Sequence, residues 1–540
     1  MKHRGADALV RALSRHGVTR IFTVSGNHVM PVFDAVLDEG IALVHARHEA
    51  AAVQMADAYS RVSGNVGIAL VTGGPGHANA ISALYTARMA EAPLVLISGH
   101  APRAQSGMGA FQEMAQAQMA APVTKAAWTC ESADAVSPDV ARAIALACGG
   151  RPGPVNLDVP SDVLEAMVGE PDDARDDQTA RETMPDDALA ASIVERIMRA
   201  ARPLAIVGPA SMTRHGHAIA SALEDAIGIP VVGMESPRGI ADPSLGAFAE
   251  MLSQADCVLL VGKRLDYTLR FGKAPALSPS CAFVQIDADE DEFARTRRAV
   301  GERLEAIARA AALPALEALA RASSGKPRHQ VWRDDVNAAI AYRPAAWEYA
   351  TSTTEGRLHP IDALRPLQTL LDARADAVFV SDGGEFGQWA QACLHAPHRV
   401  INGMAGAIGP ALPYAIGARS ALPDAPIVAT LGDGTFGFHS AEIDTAVRYK
   451  LPFVAVIGND ARWNAEYQIQ LRDYGRERLI GCDLLPTRYD LVASAFGGHG
   501  EIVVRSDEMP AAIARAHASG LPACINAMIE GQAAPSIVRQ

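Results

Sequence analysis

The sequence predicts an α/β protein with parallel sheets, and three observations support that fold class. Short apolar runs of strand character alternate with helical segments along most of the 540 residues. Two polar stretches, residues 165–187 and 322–354, interrupt this alternation and have the composition of linkers. Residues 431–463 pass from an apolar strand through a helical segment to a second strand, and parallel pairing needs such a crossover. We therefore expect three Rossmann-like, doubly wound domains.

The two predicted linkers divide the chain into units near 1–165, 188–325 and 355–535. A chain of 540 residues has room for roughly two to four domains. The hydrophobic content of 49% is sufficient for a buried core in each of the three units.

The composition disfavours several classes of function. A total of 48 Lys and Arg against 61 Asp and Glu gives a net charge of −13, which disfavours nucleic acid and anionic membranes as partners. The seven scattered cysteines lack the spacing of a metal site and suit free thiols in a reducing compartment. No apolar run approaches the ~20 residues of a membrane span, and charges interrupt residues 1–18 where a signal peptide needs an apolar stretch. We therefore expect a cytoplasmic protein.

The elements of the first unit can be assigned in order from its N-terminus. Apolar residues on one face of residues 1–18 predict a first helix. Residues 41–44 predict a strand, and the helix that follows has Glu49 in its first turn. A second strand is predicted over 66–71, and the glycine-rich residues 72–76 then predict a turn.

Three strand-like runs are predicted in each of the other two units. In the middle unit these runs are residues 204–207, 257–261 and 283–286. In the third unit they are residues 377–380, 427–431 and 453–457. Because helical segments separate the runs, each unit is expected to form its own parallel sheet.

Two acidic residues follow neighbouring strands of the third unit. Asp433 lies in the Gly-Asp-Gly turn of residues 432–434, and Asp460 follows Asn459 after the next strand. Ligands of open α/β sheets bind at the carboxyl ends of the strands. Carboxylate oxygens suit Mg²⁺, and the glycines leave backbone N–H groups free for phosphate. The pattern predicts a Mg²⁺–diphosphate site, and the alternative is a surface turn with two solvated acids.

This pattern resembles the thiamine diphosphate (ThDP) enzymes, in which Gly-Asp-Gly is followed at this distance by Asn-Asn. The resemblance implies that Asp433, Asp460 and the backbone carbonyl of Arg462 hold Mg²⁺. The chain departs from the family because Asp460 stands where the family usually has Asn. The substitution keeps an oxygen ligand but adds a negative charge beside the diphosphate.

Further motifs extend the resemblance to the acetolactate synthase-like branch of these enzymes. They are RHEAAAVQMADAYSR (47–61), VTGGPGHANAI (71–81), GAFQEMAQ (109–116), RPGPVNLDVP (151–160) and GAIGPALPYAIGA (406–418). The resemblance implies that the first unit is a pyrimidine-binding domain, the second a middle domain and the third a diphosphate- and Mg²⁺-binding domain.

The resemblance also assigns residues to the cofactor. ThDP reacts at C2 of its thiazolium ring, which must lose a proton. In the family, a glutamate bonded to the pyrimidine ring activates the cofactor for this step, and the matching residue is Glu49. Ile408, in the run Gly406-Ala407-Ile408, is expected to be the apolar wedge beneath the cofactor. The carbonyl of Gly406 is expected to accept a hydrogen bond from the 4′-amino group of the cofactor. The alternative for Glu49 is an ordinary acidic residue at a helix N-terminus.

The remaining cofactor contacts implied by the resemblance fall into two groups. Those on the pyrimidine side are Gly26, Thr72, Gly76 and Asn79. Those on the diphosphate side are Glu385, Phe386, Gly432, Gly434, Thr435, Trp463 and Asn464.

Two further residues are candidates for contact with a substrate. His28 lies where benzaldehyde lyase-like members have a histidine and would relay protons to a substrate oxygen. Gln112 matches a glutamine that faces the cofactor in several members. The alternative for both is a polar residue that only supports the site.

The reaction implied by the resemblance is a ThDP- and Mg²⁺-dependent making or breaking of a C–C bond. The substrate would be a 2-keto acid, a 2-hydroxy ketone or a 2-hydroxyacyl thioester. Acetolactate synthases carry a tryptophan where this chain has Ile469, whereas the segment 264–272 resembles 2-hydroxyacyl-CoA lyases. Acetolactate synthase proper, a flavin-linked ThDP oxidase and a non-catalytic homologue remain alternatives.

The middle domain and the assembly state are less constrained by the sequence. The middle domain could hold FAD, ADP or nothing, with Arg264 and Asp287 as candidate nucleotide contacts. It contains no GxGxxG run, which weakens the case for a dinucleotide. In the family, two subunits contribute to each site, so we expect a homodimer or homotetramer.

Overall fold

The computed structural model describes residues 3–168, 185–323 and 328–539, which form three domains with parallel sheets. The predicted α/β class is confirmed. Most of the first predicted linker, residues 165–187, lies outside the described residues. Within the described part of the chain, no helix has both the length and the apolar character needed to cross a membrane.

The first domain is a six-stranded parallel sheet with the order β3-β2-β4-β5-β7-β6. Its strands are β1 (His3–Arg4), β2 (Arg20–Thr23), β3 (Ala42–His45), β4 (Gly67–Val71), β5 (Leu94–His100), β6 (Ala126–Thr129), β7 (Val155–Pro160) and β8 (Met167–Val168). Its helices are α1 (Gly5–Arg15), α2 (Met30–Glu39), α3 (Glu49–Ser63), α4 (Pro75–Ala90), α5 (Gln116–Ala120), α6 (Val136–Cys148) and α7 (Ser161–Glu165). The short strands β1 and β8 pair antiparallel and tie the two ends of the domain together.

The middle domain has a five-stranded parallel sheet with the order β10-β9-β11-β12-β13. Its strands are β9 (Pro203–Val207), β10 (Val231–Gly233), β11 (Cys257–Val261), β12 (Ala282–Asp287) and β13 (Leu304–Arg309). Its helices are α8 (Asp187–Met198), α9 (Arg214–Ile227), α10 (Phe248–Leu252), α11 (Glu290–Val300), α12 (Ala312–Ala322) and α13 (Gln330–Ala341). Strand order reverses between β9 and β11, which places the topological switch point there.

The third domain has a six-stranded parallel sheet with the order β15-β14-β16-β17-β19-β18. Its strands are β14 (Val378–Ser381), β15 (His398–Ile401), β16 (Ile427–Gly432), β17 (Val454–Asn459), β18 (His499–Val503) and β19 (Ala523–Met528). Its helices are α14 (Pro360–Leu364), α15 (Leu367–Asp372), α16 (Gly384–Cys393), α17 (Ala411–Ala421), α18 (Asp433–His439), α19 (Glu442–Arg448), α20 (Asn464–Tyr474), α21 (Tyr489–Ala495) and α22 (Met509–Ala518). The crossover predicted as one helix between β16 and β17 is two short helices, α18 and α19.

The second predicted linker, residues 322–354, contains a helix that packs on the middle domain. Trp332, Val336 and Ala339 of α13 are buried in one of the two cores of that domain. The Trp332 indole also donates a hydrogen bond of 2.8 Å to the carbonyl of Pro203. The linker prediction is therefore wrong for α13, because three apolar residues on one helical face outweigh the polar average of the stretch.

The first and third domains pack against each other through helices α3 and α17, around a shared apolar core. Buried polar groups fasten this contact. The hydroxyl of Tyr414 donates to Asp57 at 3.0 Å, and Arg61 forms an ion pair with Asp57 at 2.7 Å. Arg61 also donates to the carbonyl of Ile401. Burial raises the pKa of Asp57, and the neighbouring Arg61 opposes that rise.

Candidate active site

A cavity of about 330 Å³ opens at the carboxyl ends of β14 and β16, where the strand order of the third sheet reverses. It is lined by most of the residues predicted for the diphosphate side: Glu385, Phe386, Gly406, Ile408, Gly432, Asp433, Gly434, Thr435, Asp460, Arg462, Trp463 and Asn464. Ala407 is adjacent, and its carbonyl accepts a hydrogen bond of 2.8 Å from Asn402. These residues, predicted from separate motifs, thus form one site.

Two carboxylates line this cavity near each other. Asp433 is buried at the end of β16, and its Oδ2 accepts a hydrogen bond of 3.2 Å from the backbone N–H of Arg462. Burial raises the pKa of Asp433 to about 6, against the opposing effect of backbone N–H groups. Burial and the nearby charge of Asp433 raise the pKa of Asp460 to about 7. Two acids held together in this way match the charge of a divalent cation.

The turn after β17 brings Asp460 to the site. Asn459 anchors this turn, because its side chain accepts from the backbone N–H of Ala461 and donates to Asn526. Ala461 is in the left-handed region at φ 59°, a conformation that is costly for a residue with a side chain. The side chain of Arg462 points away toward Asp483, at 3.4 Å. Only the backbone of Arg462 is therefore directed at Asp433.

Glycines allow the chain to approach closely around the cavity. A methyl group on Gly434 would lie 2.6 Å from the ring of Trp463, and one on Gly458 would lie 2.3 Å from the ring of Phe386. Helix α16 begins at Gly384 beside this cavity. Free backbone N–H groups at the first turn of a helix suit a phosphate group.

Asp382 organises one wall of the cavity, and sequence analysis missed it. It lies directly after β14, and its carboxylate accepts hydrogen bonds from the backbone N–H groups of Gly383 (2.7 Å), Gly409 (3.0 Å) and Ala411 (3.2 Å). Burial raises its pKa to about 6, opposed by these same donors. The position of Asp382 directly after a parallel strand is the signal that could have identified it. Asp382 fixes the loop that carries Ile408.

The residues predicted for the pyrimidine side form a second cluster, in the first domain. The amide of Asn79 donates a hydrogen bond of 3.0 Å to the carboxylate of Glu49, which is the first residue of α3. A methyl group on Gly76 would lie 3.4 Å from Glu49, and one on Gly26 would lie 2.3 Å from Thr72. The five predicted residues therefore lie together.

The two substrate candidates border this second cluster. His28 shares a hydrogen bond of 3.1 Å with Thr72, and its ring stacks on Phe111 with centroids 6.0 Å apart. Burial lowers the pKa of His28, which favours the neutral imidazole. Gln112 packs against Gly74 and has a left-handed backbone, at φ 58°.

A buried polar network beneath the cluster was also missed. Gln116 accepts a hydrogen bond from the backbone N–H of Gly74 at 2.9 Å and donates to Asp158 at 3.1 Å. Asn156 donates to the same carboxylate. The motifs that contain these residues suggested a family but gave no role for them individually. Gln116 holds the glycine turn of residues 72–76 in position.

The two groups of residues are separate within one chain. Among the residues that the structure describes, none of the first domain lines the cavity of the third domain. The middle domain contributes Ser236, Pro237 and Arg238 to that cavity, a contribution that the sequence did not reveal. One chain therefore presents two separate clusters of predicted site residues.

Three family profiles match successive parts of the chain. "Thiamine pyrophosphate enzyme, N-terminal TPP binding domain" matches residues 3–120, the corresponding central domain matches 190–319, and the C-terminal TPP binding domain matches 382–527. Each profile corresponds to one of the three sheets. The fold and the site define a ThDP-dependent enzyme.

Relatives match over nearly the whole length of the chain. A probable acetolactate synthase of Mycobacterium bovis is 34% identical over 537 residues, covering 97% of this chain and 95% of the relative. A 2-hydroxyacyl-CoA lyase 2 of Danio rerio is 30% identical over 554 residues, covering 93% and 87%. The chain belongs to the acetolactate synthase-like family of ThDP-dependent enzymes.

The residues present fit the cofactor of this family. The cavity lies within the size range of small-molecule sites and combines backbone N–H groups with the apolar surface of Ile408. The described residues contain no cluster of three or more His, Cys, Asp or Glu that could hold a metal alone. Asp433 and Asp460 supply two carboxylates, and the phosphate oxygens of a bound diphosphate would complete the set that Mg²⁺ needs.

Proposed function

We propose that this protein is a ThDP- and Mg²⁺-dependent lyase or carboligase for a C–C bond next to a carbonyl group. When bound, ThDP supplies an electron sink for the bond that breaks. Asp433, Asp460 and the backbone carbonyl of Arg462 would hold Mg²⁺. The start of α16 and residues 432–435 would hold the diphosphate.

Glu49 and Asn79 are proposed to activate the cofactor. The carboxylate of Glu49 would hold a proton at the pyrimidine ring, and the amide of Asn79 fixes the direction of that carboxylate. Thr72 and Gly76 frame the space beside it. Glu49 is half-exposed in a single chain, so its carboxylate is accessible to a group from outside that chain.

The proposed class of substrate depends on His28. Cleavage of a 2-hydroxy ketone or 2-hydroxyacyl thioester requires the substrate hydroxyl to lose its proton as the adjacent C–C bond breaks. A neutral histidine has a ring nitrogen that can accept this proton. His28 is buried, bonded to Thr72 and held neutral by burial, so it is suited to this role. The hydroxyl-bearing carbon would leave as an aldehyde, and the carbonyl carbon would take up a proton and leave as a second aldehyde or as a formyl thioester.

The separation of the Glu49 cluster from the Asp433 cavity supports a second proposal. We propose that a complete site forms when the Glu49 cluster of one chain faces the Asp433 cavity of another. A homodimer would then be the smallest active unit, and a homotetramer could contain two such dimers. The cytoplasmic location stays a prediction.

Acetolactate synthase is the second candidate, because relatives at 34% identity carry that name. Ile469 argues against it. This residue lies on α20 with 46% of its surface exposed, at the position where the synthases have a tryptophan. The aliphatic side chain of Ile469 offers no aromatic surface for recognising an acceptor keto acid.

A substrate panel tests the proposal. Protein reconstituted with ThDP and Mg²⁺ is incubated with pyruvate, a benzoin-type hydroxy ketone or a 2-hydroxyacyl-CoA, and products are identified by mass spectrometry. We expect aldehyde from the hydroxy ketone or the thioester and no acetolactate from pyruvate. Glu49→Gln should abolish turnover while retaining most ThDP affinity, and His28→Asn should lower cleavage. Acetolactate from pyruvate would contradict the lyase assignment.

A further inference from the structure

The middle domain contains a crevice where its sheet topology would place a nucleotide. The crevice lies at the carboxyl ends of β9 and β11, the switch point of the sheet. A bound nucleotide there would need a cation or backbone N–H groups for phosphate and an acid for ribose. The sequence predicted Arg264 and Asp287 for these roles.

The crevice is filled by an arginine from the first domain. Arg151 forms ion pairs with Asp287, at the end of β12, and with Glu91, at the end of α4. It also donates a hydrogen bond of 3.1 Å to the carbonyl of Gly262. The side chains of Arg151, Glu91 and Asp287 are only 10%, 3% and 1% exposed. The acid expected to bind ribose is therefore neutralised by an internal cation.

Glu91 engages a backbone N–H group that a phosphate at this switch point would need. Its carboxylate accepts a hydrogen bond of 3.1 Å from the backbone N–H of Ala210, in the turn that follows β9. Glu91 has a left-handed backbone at φ 57°, at a helix C-terminus where glycine is favoured. The chain thus keeps an acid there at a conformational cost, and this acid would repel a phosphate.

The other predicted nucleotide contact is also engaged. Arg264 forms an ion pair of 3.1 Å with the buried Glu292. The turns at the switch point are in close contact, because a methyl group on Gly208 would lie 2.1 Å from the carbonyl oxygen of Gly262. The cavity that remains beside Arg151 measures about 70 Å³, well below the ~300 Å³ of small-molecule sites.

We propose that the Glu91–Arg151–Asp287 triad takes the place of a nucleotide in this middle domain. The domain then binds neither FAD nor ADP, and the triad instead fastens it to the first domain. Arg151 and Glu91 come from the first domain, whereas Asp287 and the backbone of Ala210 come from the middle domain. The residues of the crevice do not fit a nucleotide, so a flavin-linked oxidase is disfavoured. This inference is independent of the substrate.

Nucleotide binding provides the first test. Full-length protein purified with ThDP and Mg²⁺ is denatured in acid, and the supernatant is analysed for flavin and adenine nucleotides by liquid chromatography. The folded protein is also titrated with FAD and with ADP by calorimetry. We expect less than about one nucleotide per ten chains and no binding at millimolar ADP. One nucleotide per chain, or a micromolar dissociation constant for either ligand, would overturn the proposal.

Thermal unfolding tests the fastening role with matched variants. Arg151→Met leaves two buried acids without their cation, and Glu91→Gln removes one acid while keeping the side chain's size. The same changes in the exposed pair Arg199–Glu195, which are 74% and 68% exposed, serve as controls. Breaking a buried pair costs far more than breaking an exposed one.

We expect Arg151→Met to lower the melting temperature by about 5 °C or more, Glu91→Gln to lower it by a smaller amount, and both control variants to shift it by less than about 1 °C. If Arg151→Met does not yield folded protein, Glu91→Gln decides the question. Melting temperatures equal to those of the controls would show that the triad does not hold the domains together.

Discussion

The amide of Asn79 donates a hydrogen bond to the carboxylate of Glu49 across the start of α3, at a distance of 3.0 Å. The two residues come from different helices, since Asn79 lies in the first turns of α4. A carboxylate on an exposed helix start would otherwise rotate freely between rotamers. The hydrogen bond fixes the orientation of the acid on which the proposed chemistry depends.

Removal of this hydrogen bond should lower the rate without unfolding the protein. We expect Asn79→Ala to reduce kcat by about tenfold to a hundredfold, because misplacing a catalytic group by about 1 Å has effects of this size. Steady-state kinetics at saturating ThDP and Mg²⁺ would measure the change. Asn65→Ala, at an exposed turn, is the control. An unchanged kcat for Asn79→Ala would mean that Asn79 does not position Glu49.

Asp460 should determine the Mg²⁺ requirement. We expect Asp460→Ala to raise the Mg²⁺ concentration for half-maximal activity at least about tenfold, equivalent to ~1.4 kcal/mol, because one of two carboxylate ligands is lost. Asp460→Asn keeps an oxygen ligand and should have a smaller effect. Magnesium titrations of activity would compare the variants. If Asp460→Ala has the wild-type requirement, Asp460 is not a ligand.

Mg²⁺ binding should weaken as the pH falls. In the metal-free protein, the pKa of Asp460 is raised to about 7 and that of Asp433 to about 6. Below pH 7, Mg²⁺ must displace a proton from Asp460, so the half-saturating concentration should rise toward about tenfold per pH unit. Above about pH 8 it should be constant. Binding titrations from pH 5.5 to 8.5 would measure this trend.

The variant Asp460→Asn is the control for the pH experiment. It removes the acid with the higher pKa, so the increase in half-saturating Mg²⁺ should begin only near the lower pKa of Asp433. A profile identical to that of the wild-type protein would assign the titration to a different group.

Asp382 should control cofactor affinity through the loop that it holds. Asn has one acceptor oxygen and an NH₂ group that would face the backbone donors of Gly409 and Ala411. We expect Asp382→Asn to weaken ThDP binding about tenfold or more at saturating Mg²⁺, as measured by calorimetry. Asp424→Asn, at an exposed position, is the matched control. Unchanged ThDP affinity would separate this loop from cofactor binding.

Tyr414 should stabilise the contact between the first and third domains. Tyr414→Phe leaves one oxygen of the buried Asp57 without its donor, at a cost of about 1–3 kcal/mol. We expect the melting temperature to fall by about 2 °C or more in differential scanning fluorimetry. Tyr349→Phe, with its side chain exposed, should have no effect. A melting temperature like that of the control would mean that Asp57 finds another partner.

The sequence was sufficient to predict strands β14, β16 and β17 and the two carboxylates that follow β16 and β17, whereas strands such as β10, β13 and β18 were not predicted. Parallel strands bring their carboxyl ends to one edge, so local motifs such as residues 432–434 predict a shared location. Asp382 was missed because its role depends on a loop more than twenty residues away in the chain. Helix α13 was missed because its apolar face is diluted by polar neighbours.

The Arg151 triad shows a different limit of sequence reasoning. Arg264 and Asp287 were assigned to a nucleotide by residue type and position. The partner of Asp287, Arg151, is set by how two domains pack. The partner of Arg264, Glu292, is set by how the middle domain folds, and no local pattern contains either pairing. An ionisable residue at a strand end indicates a site but does not show what neutralises it.

The shared core between α3 and α17 makes the first and third domains a single cooperative unit. Residues from both domains bury one another, so neither domain can open without exposing the apolar surface of the other. A ligand bound at the Glu49 cluster or in the Asp433 cavity therefore adds to the free energy of unfolding of both domains. Mutations at this helix pair, far from Glu49 and Asp433, should consequently lower the unfolding temperature of both domains together.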